Sequence, residues 1–242
     1  MKKLRTLAIT LTAITASTTA VMPSQAVISP TPSHQGSLAY VSFDNMQCTG
    51  TLVSPTTVLT ARHCLNGGLG HVRLGANHFT AVRAVAHPQA DLAVLHLDRP
   101  APIAPSAISG RHTQPGNRFG VAGYGNAFTG IPMAAAATMQ RRVTDVPSPD
   151  RQAVMIENHI SQGVLRPGDS GGPLLEGNHV TGVLSMSSAS GRVGWYIPTA
   201  EHADWIAAAA GIPAPGSVDK PAPLVDATAF PTQEPSLASL SS

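Results

Sequence analysis

The sequence predicts an all-β protein. From Leu38 onward the chain runs through short segments rich in β-branched residues, with turn residues between them, and no amphipathic helical window of any length intervenes in the first half. Composition agrees: 22 Gly and 21 Pro in 242 residues, with only 12% charged, suit short strands and many turns.

The opening "MKKLRTLAITLTAITASTTAVMPSQA" places Lys2, Lys3 and Arg5 before an apolar, hydroxyl-rich run that ends in Pro23 and a small-residue site at Ala26. This reads as a secretory signal peptide, residues 1–26, and the expected destination is extracellular. A membrane anchor is the weaker reading, because the run falls short of the ~20 apolar residues a span needs. Cleavage takes away three basic side chains and no acidic one, so the formal charge moves from +2 to about −1. That balance gives no reason to expect a nucleic-acid partner, and no membrane is expected to be a partner once the signal is gone. About 216 residues remain, enough for one sizeable domain or two small barrels packed together.

The first-half strands are "LAYVSF", "TGTLVS", "TVLTAR", "HVRLG", "FTAVRAVAH" and "LAVLHL", together about 38–100. A Pro-rich bridge, residues 98–116, leads to a second β-rich half of about 115–198 that includes "RFGVAGYG", "HVTGVLSM" and "VGWYIPT". "AAAATMQRRV", residues 134–143, fits helix or strand. Two β halves of similar size are compatible with duplicated barrels. "TAEHADWIAAAAG", Thr199 to Gly211, is the best helix, with Thr199 as candidate N-cap and Gly211 as its stop. Residues 212–242 are rich in Pro, Ser and Ala without periodicity and are expected to be disordered. Cys48 and Cys64 read, in an exported chain, as one disulfide worth about 3 kcal/mol.

Three segments carry chemistry. "LTARHC" sets His63 beside Cys64, "DLAVLHL" opens with Asp91 before an apolar strand, and "GDSGGP" puts Ser170 in a glycine-rich turn. A serine hydroxyl is a poor nucleophile at neutral pH, so a histidine must take its proton and an acid must orient the histidine. Gly168 and Ser170 can aim their amides at one point as an oxyanion hole. Singly, the three segments also read as a surface histidine, a strand-initiating turn and a Gly-Ser turn. His71, His78, His87 and His96 show no metal-ligand spacing, so no metal or other cofactor is expected.

"TARHC", "DLAVLHL" and "GDSGGP", in that order, resemble the chymotrypsin/trypsin family of serine endopeptidases, above all its compact bacterial members, across about Leu38 to Gly211. The order His, Asp, Ser is that family's. The resemblance implies two packed six-stranded antiparallel β-barrels with the site between them, a Cys48–Cys64 disulfide, a C-terminal helix, and peptide or protein substrates. It implies catalytic His63, Asp91 and Ser170, oxyanion donors Gly168 and Ser170, and a supporting Ser185 bonded to Asp91. Ser185, Met186 and Ser187 would pair with an extended substrate backbone, and Gly194, Trp195 and Tyr196 would wall the primary specificity pocket.

Two departures follow. Trypsin-type members carry an aspartate six residues before the nucleophile; here that residue is Val164, followed by Leu165, which predicts an apolar or small P1 residue rather than Lys or Arg. Arg166 stands where the family has a cysteine, and Leu165 is a candidate to fill the pocket. Family members also pair a new N-terminal amine with the aspartate before the nucleophile, here Asp169. The expected new terminus is Val27-Ile28-Ser29-Pro30, without the family's glycines. Arg118 or Arg141 is the rival partner for Asp169. Only about 28 residues separate His63 from Asp91, so no long calcium loop is evident. The alternatives are an inactive or zymogen-like homologue that binds peptides through the same groove, and a secreted esterase. A monomer is the default.

Overall fold

A computed structural model describes residues 31–65, 70–125, 130–144, 146, 154–230 and 232–233. The signal-peptide segment lies outside them. No described helix is long and apolar enough to cross a membrane.

Two short leading residues, β1 (Thr31–Pro32), pair with a strand of the second half. Six strands then close the first barrel: β2 (Leu38–Phe43), β3 (Met46–Ser54), β4 (Thr57–Thr60), β5 (Gly70–Leu74), β6 (Asn77–Ala86) and β7 (Ala93–Leu97), in the ring order β2-β3-β4-β7-β6-β5. Inward residues fill it, among them Val41, Leu52, Leu59, Val72, Leu74 and Leu95, all buried. The interior is too tight for a side chain at Gly50, where a Cβ would stand 2.5 Å from Val58 Cγ1.

The Pro-rich bridge belongs to both halves. Ala101 N donates to Pro55 O and Ser106 N to Leu52 O on the first barrel, while β8 (Ala107–Ile108) runs parallel to a strand of the second. That barrel closes through β9 (Arg118–Gly123), β10 (Met133–Thr144), β11 (Met155–Gln162), β12 (Pro173–Glu176), β13 (His179–Ser187) and β14 (Val193–Pro198), in the ring order β9-β10-β11-β14-β13-β12. The two six-stranded antiparallel barrels are the predicted architecture. The ambiguous alanine run is strand β10, paired with β9 and β11, with Ala137, Met139 and Val143 buried at even spacings.

The C-terminal helix needs correcting in detail. Residues Thr199–His202 form a 3-10 turn, and α1 covers only Ala203–Ala210. Thr199 is not its N-cap: its buried hydroxyl donates to Val180 O at 2.8 Å, tying the turn to β13. Gly211 does end the helix, with φ of 67°.

The expectation of disorder from residue 212 is also corrected. The chain runs along the Pro-rich bridge, where Val218 N donates to Gly110 O and Gln114 Nε2 to Lys220 O. It then adds β15 (Leu224–Asp226) parallel to β10. Edge pairing of β10 supplies backbone partners that Pro-rich composition does not advertise. Residues 231 and 234–242 lie outside the description.

Candidate active site

The candidate residues meet where the barrels face each other. Cys48 on β3 and Cys64 form a disulfide, and the 3-10 turn Arg62–Cys64 holds His63 beside it. Asp91, in the turn before β7, is 3% exposed. Its Oδ1 accepts from His63 N at 2.8 Å and its Oδ2 from His63 Nδ1 at 2.6 Å. Ser185 Oγ donates to the same Oδ2 at 2.6 Å. Burial alone would raise the Asp91 pKa, but the His63 bond and charge, Ser185 and the His63 backbone amide outweigh it and hold Asp91 below the usual carboxylate value. With Nδ1 donating to a buried anion, Nε2 is left to accept a proton.

Ser170 comes from the other barrel. Its carbonyl accepts from Thr49 N at 2.8 Å and lies 3.9 Å from Cys64 Sγ, so the serine stands against the disulfide that carries His63. Arg166-Pro167-Gly168-Asp169 is a turn closed by Asp169 N donating to Arg166 O at 3.0 Å. Gly168 sits at its third position with φ of 103°, a region a side chain disfavours, and Pro167 fixes the second position. This is the type II pattern, and it orients the Gly168 amide.

Asp169 turns away from solvent. Its Oδ1 accepts from Gly125 N at 2.6 Å and its Oδ2 from Arg166 N at 2.8 Å. Burial raises its pKa, only partly offset by these amides and the Arg166 charge. Of its expected partners, Val27 lies outside the described residues. Arg141 is engaged elsewhere, which corrects that rival: it pairs with buried Glu157 at 3.0 Å and donates to Phe230 O. Arg118 is exposed on β9. Sequence reading missed Gly125 and Thr49; the paired glycines of "AGYG" were the available signal for the first.

Of the expected substrate-binding residues, Ser185–Ser187 end β13, paired to β14 through Met186↔Trp195 and Ser187↔Gly194. Pairing with β12 stops at Val183. Val164 is half-buried and Leu165 is 6% exposed. Leu165 Cδ1 stands 2.7 Å from the point a Cβ on Gly194 would occupy, as does Tyr196 Cε2. Leu165 N donates to Gly191 O at 2.8 Å, which anchors the backbone at this residue. Trp195 Nε1 donates to Glu157 behind this wall.

Paired barrels with a buried acid, a histidine and a serine at their seam define a chymotrypsin-like serine protease. The trypsin family model matches residues 27–206, and the chain belongs to that family. It is a serine endopeptidase. An uncharacterized peptidase of Corynebacterium glutamicum strain R is 40% identical over 241 residues, covering 92% of this chain and 87% of that one. Human cathepsin G is 33% identical over 182 residues, 60% of this chain and 69% of its own. Human heparin binding protein shares the fold, with a TM-score of 0.63 at 22% identity over 79% of this chain and all of that one.

Proposed function

We propose that the chain is a secreted endopeptidase acting through an acyl-enzyme, in which Ser170 attacks the peptide carbonyl, His63 takes and returns the proton, and Asp91 orients His63. The Gly168 and Ser170 amides hold the oxyanion. The observation that carries this reading is Asp91, buried and bonded at once to both nitrogens His63 offers it and to Ser185. A buried carboxylate in that position stabilises the imidazolium that forms when Ser170 gives up its proton. Ser185–Ser187, free of β12, would receive the substrate backbone as an added strand.

At P1 the enzyme takes small or apolar residues. Val164 offers no carboxylate to a Lys or Arg side chain, and Leu165 occupies the space beside Gly194. Cleavage of a peptide library varied at P1, by the secreted protein and by Ser170→Ala, tests both statements. Cleavage after Ala or a similar residue, abolished in Ser170→Ala, is expected. Cleavage after Lys or Arg would overturn the P1 assignment, and cleavage surviving in Ser170→Ala would overturn the mechanism.

A further inference from the structure

We infer that Thr49 is a positioning residue for the oxyanion hole, gripping from the first barrel both residues whose amides hold the oxyanion. The inference rests on Gly168 and Ser170 being those donors. Thr49 lies on β3 next to Cys48 and is wholly buried. Its backbone N–H donates to Ser170 O at 2.8 Å, and its hydroxyl donates to Gly168 O at 2.8 Å. The first bond is open to any residue except proline. The second requires a hydroxyl.

The same hydroxyl oxygen accepts from Tyr124 N at 2.9 Å. Tyr124 precedes Gly125, whose amide holds Asp169, so one side chain joins the strand end that anchors Asp169 to the turn that carries Gly168. Thr49 O accepts from Thr60 Oγ1 at 2.8 Å, which leaves no polar atom of Thr49 without a partner. Its methyl is packed as well: Cγ2 is 3.4 Å from where a Cβ on Gly172 would stand. The rotamer is therefore set by hydrogen bonds on one side and by packing on the other.

The consequence follows from the turn. Gly168 N–H lies on the central peptide of Arg166-Pro167-Gly168-Asp169, and it serves as a donor only while the turn keeps its place against the nucleophile. Pro167 limits the turn's entry, and Asp169 N to Arg166 O closes it. Neither bond attaches the turn to the first barrel, where His63 and Asp91 reside. The Thr49 hydroxyl makes that attachment at Gly168 O, and so stops the turn from drifting across the barrel seam. Donors must lie within a few tenths of an ångström of their best distance to the developing oxyanion, whereas binding of the substrate backbone along β13 does not involve them. Loss of the hydroxyl therefore lowers kcat and spares KM.

The test compares Thr49→Val, nearly the same shape without the hydroxyl, with Thr49→Ser, which keeps it. Three quantities are read: kcat and KM per titrated site, affinity for a peptide boronic acid that forms a tetrahedral adduct on the serine, and amide exchange across 164–172. Thr49→Val is expected to lose ~10-fold or more in kcat with KM within about twofold, to lose boronate affinity in step, and to exchange faster in that segment. Thr49→Ser should stay near the parent protein. If Thr49→Val does not fold, Thr49→Ala carries the comparison. An unchanged kcat per site in Thr49→Val, with only thermal stability reduced, would overturn the inference, as would Thr49→Ser failing as Thr49→Val does. Should the parent protein neither cleave nor take boronate, the endopeptidase mechanism fails separately. Amide exchange still decides, since equal exchange in the parent protein and Thr49→Val overturns the Thr49 assignment.

Discussion

Asp91 is a buried carboxylate and Asp169 a half-buried one near Ser170, and their surroundings push them in opposite directions. Asp91 has its His63 and Ser185 partners and titrates below the usual value, so its ionisation contributes stability that is present above that value and lost as pH falls through its lowered folded pKa. Asp169 has backbone amides and a nearby Arg166 charge that do not offset burial, so its contribution is present at low pH and lost as pH rises through its raised pKa. The residue types at His63, Asp91 and Ser170 were readable because triad chemistry restricts them and short motifs carry them. Leu165 was readable as a residue but not as a direction, since its approach to Gly194 depends on how the segment before Ser170 folds against β14. Thr49 was not readable, because its partner Gly168 is 119 residues away along the chain. Because Leu165 narrows the proposed P1 pocket, Leu165→Gly shifts preference from small toward large apolar residues, measured as a rise of ~10-fold or more in kcat/KM for Leu, Met or Phe relative to Ala. An unchanged profile would place the limit elsewhere.

At the scale of elements, alternating burial is clear in β2, β5 and the first half of β6, whereas β3, β4, β12 and β13 are buried along most of their length. Strand β10 reads ambiguously because its alanines favour helix; pairing with β9 and β11 overrides that preference. The 3-10 turn before α1 arises because Thr199 is held to Val180 O instead of capping. That turn delivers His202 against His87, their rings 4.8 Å apart, and His87 packs on Trp205 of α1 at the same distance. Burial, then the His87 charge, push the His202 pKa down from 6.5 to about 4, against the pull of Glu201. His202 is thus neutral in the folded protein over a range in which the unfolded chain is protonated. Stability is full above about 6.5 and falls as pH drops toward about 4, by at most about 3 kcal/mol. Chemical denaturation of His202→Gln between pH 7 and 4 should show a flatter pH dependence than the parent protein. An equal slope would remove His202 as its source.

The whole molecule is two barrels stitched by a bridge and wrapped by a tail. Barrel number was legible through the resemblance, and its motifs supplied the candidate triad residues. The wrap was not, because three residues of edge strand without alternation look like linker. Its end covers the ion pair of buried Glu157 with half-buried Arg141: the two bond in two places, Thr232 Oγ1 donates to Glu157, and Phe230 O accepts from Arg141. A buried pair is safe only while its remaining hydrogen-bonding capacity is filled. Truncation after residue 212 should therefore lower Tm by roughly 3–8 °C in a thermal scan, and an unchanged Tm would mean the tail adds nothing to the fold. The proposal is that His63 and Asp91 make Ser170 the nucleophile. It is tested most directly by treating the protein with a sulfonyl fluoride and mapping the adduct by peptide mass. One adduct, on Ser170, lost in His63→Ala, is the predicted result; no adduct in the folded parent protein, or equal labelling in His63→Ala, would contradict it.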